Sequence, residues 1–217
     1  MTTQKLVPVS SPSIELQSQI LLDEYKVIRE MVAKHSDWQA QLDTLALAGL
    51  GGAITLVLAF INQPETALGV LLLLPIVFFA IAFVQLRHER LMTLSAIYID
   101  CELRPKLEHL TGRLLGEKIS ILGYERYLAR HTWSRGLLLE WFATSTHAAL
   151  SLVIGLGMIA VHFYMRATIL PGLALRGYQL WLLVVDILLL TGDLAIAFLI
   201  AHIRHKHNKK QYPKAKK

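Results

Sequence analysis

An uncharged run of residues, Ala67 to Leu86, constrains the fold of this chain more than any other feature. The run is apolar on every side of a helix, whereas a core helix of a soluble bundle keeps a polar stripe with a period of about 3.6 residues. About 20 helical residues cross the hydrocarbon core of a bilayer. Pro75 lies inside the run and is expected to kink the helix, which membrane helices tolerate. The run therefore predicts a membrane-spanning helix.

Three further stretches are long enough to span a bilayer: residues 44–61, 137–164 and 179–203. A short polar turn at 62–66 joins the first of them to the run described above. Only 18% of the 217 residues are charged, and the charges occur in blocks, whereas soluble domains are about 25% charged. We therefore predict an all-α integral membrane protein with four transmembrane helices, arranged as hairpins over residues 44–86 and 137–203.

Lysines and arginines set the predicted orientation. Of the 22 in the chain, 20 fall within residues 1–43, 87–136 and 204–217. Because cytoplasmic segments of membrane proteins are enriched in these residues, both termini and the central loop are predicted to lie in the cytoplasm. Residues 1–43 have no early apolar run with a cleavage site, so we expect no signal peptide. The single cysteine, Cys101, fits a reducing compartment for the soluble parts.

The N-terminal segment, residues 1–43, is predicted to form an amphipathic cytoplasmic helix that begins at Ser11-Pro12. One narrow apolar stripe follows its length at heptad spacing, which suits packing against another helix as in a coiled coil. The stripe consists of Ile14, Leu21, Tyr25, Ile28 and Val32. Two interpretations remain open: the stripe binds a partner helix, or it packs on the central loop of the same chain.

The central loop, residues 87–136, is too long for a simple connection and is predicted to be helical. The second spanning helix is expected to continue to about Leu103, where Pro105 ends or bends it.

The basic tail, residues 204–217, is expected to hold the C-terminus inside and to contact anionic lipids, at about 1 kcal/mol per basic residue. The candidate lipid-binding residues are Lys209, Lys210, Lys214, Lys216 and Lys217.

Asp186 and Asp193 are the strongest candidates for a functional site. They are seven residues apart on nearly the same face of the fourth span, about 10.5 Å apart along the axis. An ionisable group inside a membrane is costly unless it is paired, protonated or hydrated, so it indicates a functional site. His147 in the third span is the expected partner. The alternatives are a hydrogen bond that holds helices together, a water-filled pore lining and a proton-coupled transport site.

Small residues in the first span allow close helix packing. Ala48 with Gly52, and Gly49 with Ala53, both fit the small-xxx-small pattern. The pattern favours tight packing within the chain slightly over packing between subunits.

The sequence contains no motif that indicates an enzyme. It has no phosphate-binding glycine loop, no nucleophile elbow and no zinc-binding His-Glu-x-x-His motif. The histidines near the C-terminus, His202, His205 and His207, stand among basic residues that oppose cation binding. We therefore expect no catalytic residues, no metal and no cofactor, and we do not expect nucleic acid as a partner.

Two segments, Tyr25–Glu30 and Tyr98–Leu107, resemble parts of small, uncharacterised, multi-pass bacterial inner-membrane proteins. The resemblance implies a bacterial inner membrane and brings no activity with it. By analogy, small bacterial proteins of this design serve as membrane effectors or anchors, including in phage defence. The expected function is a non-enzymatic, homo-oligomeric component that couples a cytoplasmic protein partner to the membrane. The alternatives are a small ion or proton channel or transporter, and a passive membrane scaffold.

Overall fold

The computed structural model describes residues 12–115, 146–169 and 177–211, with side chains for 15–110, 147–168 and 177–207. This part of the chain contains five α-helices and one π-helical turn: α1 (Pro12–Ala59), α2 (Pro64–Tyr98), the π-turn (Ile99–Leu103), α3 (Arg104–Leu115), α4 (Thr146–Ile169) and α5 (Gly177–Gln211). Helices α1, α2, α4 and α5 are long and apolar enough to span a membrane. The prediction of an all-helical chain with four such helices is confirmed for the described residues, whereas the orientation stays a prediction.

Parts of the sequence predictions lie outside these residues. The start of the third span, residues 137–145, and the connector beyond residue 115 are not described. The same holds for the end of the tail, residues 212–217.

The turn between α1 and α2 is tight and hydrogen-bonded through its backbone. The amide of Gln63 donates to the carbonyl of Phe60 at 2.8 Å, and the amide of Ala67 donates to the carbonyl of Gln63 at 3.0 Å. Pro64 takes the first position of α2, where its fixed φ suits a helix and its missing N–H would have had no intrahelical partner. Helix α2 then continues through Pro75 without a break.

A π-helical turn follows α2, directly before a proline. The amide of Arg104 donates to the carbonyl of Ile99, five residues earlier, instead of to the carbonyl four residues earlier. Pro105 has no N–H to donate and its ring crowds the preceding turn. The helical path continues from α2 through the π-turn into α3, so the proline does not end it.

The chain divides into two compact units: residues 1–34 with 92–134, and residues 35–91 with 135–217. We call the second unit the bundle. Its core has two clusters, and α2 contributes to both. Phe78 packs with Ala46 and Ala53 of α1, whereas the next residue, Phe79, packs with residues of α4 and α5. Helix α2 is therefore the central helix of the bundle.

The two ends of the bundle are defined by side-chain contacts. At one end, a Cβ atom on Gly69 would lie 3.4 Å from the hydroxyl of Tyr178, so α2 and α5 approach each other closely there. At the other end, Gln85 of α2 meets Ser151 of α4. We call these the Tyr178 end and the Gln85 end.

The first unit holds α3, the π-turn and the adjoining parts of α1 and α2. The hydroxyl of Tyr98 donates to Glu24 at 2.7 Å. Arg104 pairs with Asp100 at 2.6 Å, and both side chains are nearly buried. Leu21 of α1 and Leu110 of α3 line a shallow groove of about 340 Å³.

Candidate functional site in the helix bundle

Asp186 and Asp193 are the most buried carboxyl groups among the described residues of the bundle. Their exposed fractions are 0% and 1%. Neither oxygen of Asp186 has a hydrogen-bond partner within the described part of the chain, and Oδ2 of Asp193 has none either. Burying a carboxylate without a partner costs many kcal/mol, so such a group must be neutralised in some way. The functional role of Asp186 and Asp193 stays a prediction.

A chain of hydrogen bonds links α1, α2 and α4 at the Gln85 end. The hydroxyl of Ser151 donates to Oε1 of Gln85 at 3.0 Å, and Nε2 of Gln85 donates to Oδ1 of Asp43 at 2.8 Å. Nδ1 of His147 donates to the other oxygen of Asp43 at 2.7 Å. Gln85 therefore uses both ends of its amide to join a buried hydroxyl to a carboxylate.

A second set of contacts joins α1, α2 and α5 at the same end. Nε2 of Gln39 donates to Oε2 of Glu89 at 3.1 Å, and the guanidinium of Arg204 pairs with the other oxygen of Glu89. Gln39 and Glu89 are both buried. Hydrogen bonds to a charged group in such surroundings are stronger than those between neutral groups. Glu89 therefore ties the ends of α1 and α5 to α2.

A histidine pair completes this polar region. Nδ1 of His35 and Nδ1 of His88 lie 2.7 Å apart, and Trp38 contacts the His88 ring edge-on at a centroid distance of 5.3 Å. One Nδ1 must carry a proton and the other must not, since a hydrogen bond needs one donor and one acceptor. We call the whole set the polar network: His35, Gln39, Asp43, Gln85, His88, Glu89, His147, Ser151 and Arg204.

The structure does not pair His147 with the aspartates of α5. His147 binds Asp43 instead, and neither Asp186 nor Asp193 has a hydrogen bond or ion pair within the described residues. The expected partnership was based on similar depth in the membrane, and depth does not define which way a side chain points around its helix. The position of His147, with 46% of its side chain exposed, places it at the rim of the polar network.

A buried histidine that the sequence analysis did not single out lies toward the Tyr178 end. His162 of α4 is 0% exposed, and its Nδ1 donates to the carbonyl of Leu68 at 3.0 Å. Its Nε2 is buried without a partner among the described residues. The sequence did contain a signal for this buried residue, because His162 is a lone histidine inside the apolar sequence of α4.

The small residues of α1 divide between two faces. Ala53 is buried in the core, and a Cβ atom on Gly49 would lie 3.5 Å from the Phe78 ring, so both serve packing within the chain. A Cβ atom on Gly52 would meet no atom within 4 Å, and Ala48 is exposed. Both members of the pair Gly49 and Ala53 therefore face the bundle, and neither member of the pair Ala48 and Gly52 does.

The predicted partner-binding stripe lies in the first unit. Leu21, Tyr25, Ile28 and Val32 are half-buried, and Leu21 faces the groove that it shares with Leu110. The side chain of Ile14 lies outside the described residues. The predicted lipid-binding side chains also lie outside them: Lys209, Lys210, Lys214, Lys216 and Lys217.

Among the described residues, no group of three or more histidine, cysteine, aspartate or glutamate side chains is arranged to hold a metal ion. Comparison with known proteins found no matching family model, no similar curated protein and no similar solved structure. The resemblance of Tyr25–Glu30 and Tyr98–Leu107 to small bacterial membrane proteins stays a prediction.

Proposed function

We propose that this protein is a non-enzymatic, oligomeric inner-membrane component that couples a cytoplasmic partner or signal to membrane permeability. The observation that carries the proposal is the complete burial of Asp186 and Asp193, with no hydrogen-bond partner within the described residues for either oxygen of Asp186 or for Oδ2 of Asp193. Carboxyl groups that only held helices together would bind donors on neighbouring helices. Two buried carboxyls on one face of α5 that lack such donors in the part of the chain that the structure describes instead favour a role in ion movement or in a change of packing.

The distribution of exposed apolar residues supports a protein partner. Leu16, Ile20, Val27 and Met31 lie within one sector of α1, because their spacings of four, seven and four residues repeat the turn of a helix. Their exposed fractions range from 44% to 63%. An apolar face of this kind on a helix suits another helix, from a second copy or from a cytoplasmic protein.

The basic residues support the orientation in this proposal. Nine of them lie in residues 87–136 and seven in residues 204–217, and this distribution favours a cytoplasmic side for both segments and the N-terminus. The exposed face of α1 would then be accessible to cytoplasmic partners. A role in phage defence is part of the proposal by analogy only.

A channel or transporter is the second candidate, and the same two aspartates favour it. The contact of His147 with Asp43 removes His147 from the set of residues that would act with them. A passive scaffold is the third candidate. It gives no reason for two unpaired carboxyls inside the bundle, so it ranks behind the others.

The test compares the membrane potential of bacterial cells that express the wild type, Asp193→Asn or Asp186→Asn at equal membrane levels. Asp37→Asn is the matched control, because Asp37 is exposed on α1. We expect the wild type and the control to depolarise the cells and the two α5 variants to do so less. Unchanged potential in all four strains, with and without infection by phage, would refute the role in permeability and favour the scaffold.

A further inference from the structure

The surroundings of Asp193 place its carboxyl inside the bundle rather than toward lipid. Leu189 and Leu190 precede it by about one turn, and Ile196 and Ala197 follow it by about one turn. All four pack with the same core cluster, which includes residues of α2 and α4. Side chains three and four residues apart share one face of a helix. Asp193 therefore faces the interior, where α2, α4 and α5 meet.

The composition of this interior limits which ion the carboxyls could take up. A metal cation needs about six oxygen ligands, but the residues that flank Asp193 on its face are apolar. Asp186 has no hydrogen-bond partner within the described residues and lies about 10.5 Å away along the axis, too far to share an ion. A proton needs only the carboxyl itself. The site therefore fits a proton and does not fit a metal ion.

The polar network leads from the surface toward these carboxyls. The exposed fraction of the side chain is 46% for His147 and 27% for Asp43, and the residues behind them, Gln85 and Ser151, are 1% and 0% exposed. Ser151 follows Ala148 by three residues and Gln85 follows Ala82 by three, so each shares a helix face with a member of the core cluster that contains Ala197. The hydrogen-bonded chain thus begins at the rim of the Gln85 end and ends beside the cluster that flanks Asp193.

We infer that Asp193 and Asp186 hold protons, and that the Gln85 end of the bundle exchanges the proton of Asp193 along Ser151, Gln85 and Asp43. In the exchange, the Asp193 carboxyl gives its proton to water that enters beside Ser151 and becomes a carboxylate; this water passes the proton to the Asp43 carboxylate, which later releases it to bulk water. Gln85 is a positioning residue, since its amide holds Ser151 and Asp43 in place. This inference rests on the proposed function and names the proton as the ion involved. Whether the two carboxyls hold protons can be measured even if the protein conducts no ions.

The experiment uses infrared spectroscopy of the full-length protein in phosphatidylcholine vesicles, transferred from H₂O to D₂O at neutral pH. We expect a carbonyl band of a protonated carboxylic acid that shifts in D₂O. Asp193→Asn and Asp186→Asn should each remove a component of this band, and Asp37→Asn should remove none. The wild-type spectrum alone tests for the protonated acid, so misfolding of a variant would not leave the inference untested.

Two outcomes would overturn the identification of the proton. One is a wild-type spectrum without an exchangeable carboxylic acid band. The other is loss of the band when Na⁺ or K⁺ is added at constant pH, which would identify a metal cation instead. If the band is present but cells are not depolarised, the proposed function fails while the proton site stands.

The route is tested by the rate at which the band shifts in D₂O. Gln85→Leu should slow the shift by about tenfold, because it breaks both hydrogen bonds of the Gln85 amide. Gln41→Leu is the matched control, since Gln41 is exposed on α1. Equal rates in the two variants would refute the route.

Discussion

Gly155 is the position where the packing of the bundle makes the sharpest prediction. A Cβ atom there would lie 2.6 Å from Cε1 of Phe79, whereas ordinary contact begins at 3.4 Å. The Phe79 ring is 0% exposed and is enclosed by residues of α4 and α5, so it cannot turn away without moving its neighbours. The change Gly155→Ala therefore forces α2 and α4 apart or strains the ring.

The size of the effect follows from two opposing contributions. Overpacking of this kind costs about 1–3 kcal/mol. Replacing a glycine inside a helix by alanine stabilises it by about 0.5–1 kcal/mol. Gly157 is the matched control on the same helix, because a Cβ atom there would meet no atom within 4 Å. Both variants have the same stabilisation from replacing a helical glycine by alanine, and only Gly155→Ala has the cost of overpacking. Gly155→Ala should therefore be less stable than Gly157→Ala by about 1–3 kcal/mol.

The assay is unfolding by dodecyl sulfate in mixed micelles, followed by the fluorescence of the four tryptophans. Adding Phe79→Leu to Gly155→Ala should recover part of the lost stability, since the smaller side chain vacates the space that the methyl group needs. Equal stability of Gly155→Ala and Gly157→Ala would refute the close approach of α4 to α2 at this point.

Two further predictions concern the polar network and the orientation. Gln85→Leu leaves Asp43 and Ser151 without the amide that joins them, and it should lower the free energy of unfolding by about 1–3 kcal/mol in the same micelle assay. The exposed Gln41→Leu serves as the control, and equal stability of the two variants would contradict the network. Cys101 is the single cysteine and is exposed, so a membrane-impermeant maleimide should label spheroplasts only after the membrane is permeabilised. Labelling of intact spheroplasts would show that the predicted orientation is wrong.

The four long helices were predictable because their signal is local. A run such as Ala67–Leu86 carries its own hydropathy, and a bilayer leaves a spanning chain few alternatives to a helix. The continuation of α2 toward Leu103 was also predictable, since apolar residues repeat at helical spacing after the run ends. The π-turn before Pro105 was not predictable from the sequence, because a proline in this position is equally compatible with the end of a helix.

The polar network was largely missed, because it depends on how helices are rotated against each other. Gln39, Asp43 and Gln85 resemble ordinary polar residues at the ends of apolar runs. A signal existed in the spacing of His35, Gln39 and Asp43, which are four residues apart and therefore share one face of α1. Hydropathy does not define the rotation of a helix, so the same reasoning paired His147 with Asp193 on depth alone.

The central position of α2 has a consequence for how the sequence can diverge. Half of the most apolar stretch of α2 is buried, against 11% for α1, and Phe78 and Phe79 face different neighbours. Adjacent positions in α2 are therefore constrained by separate contacts, and a change at one is not compensated at the next. The apolar part of the first helix can accumulate substitutions over most of its surface as long as they stay apolar. Divergent copies of this chain should thus remain recognisable by their second helix long after the first has lost its likeness.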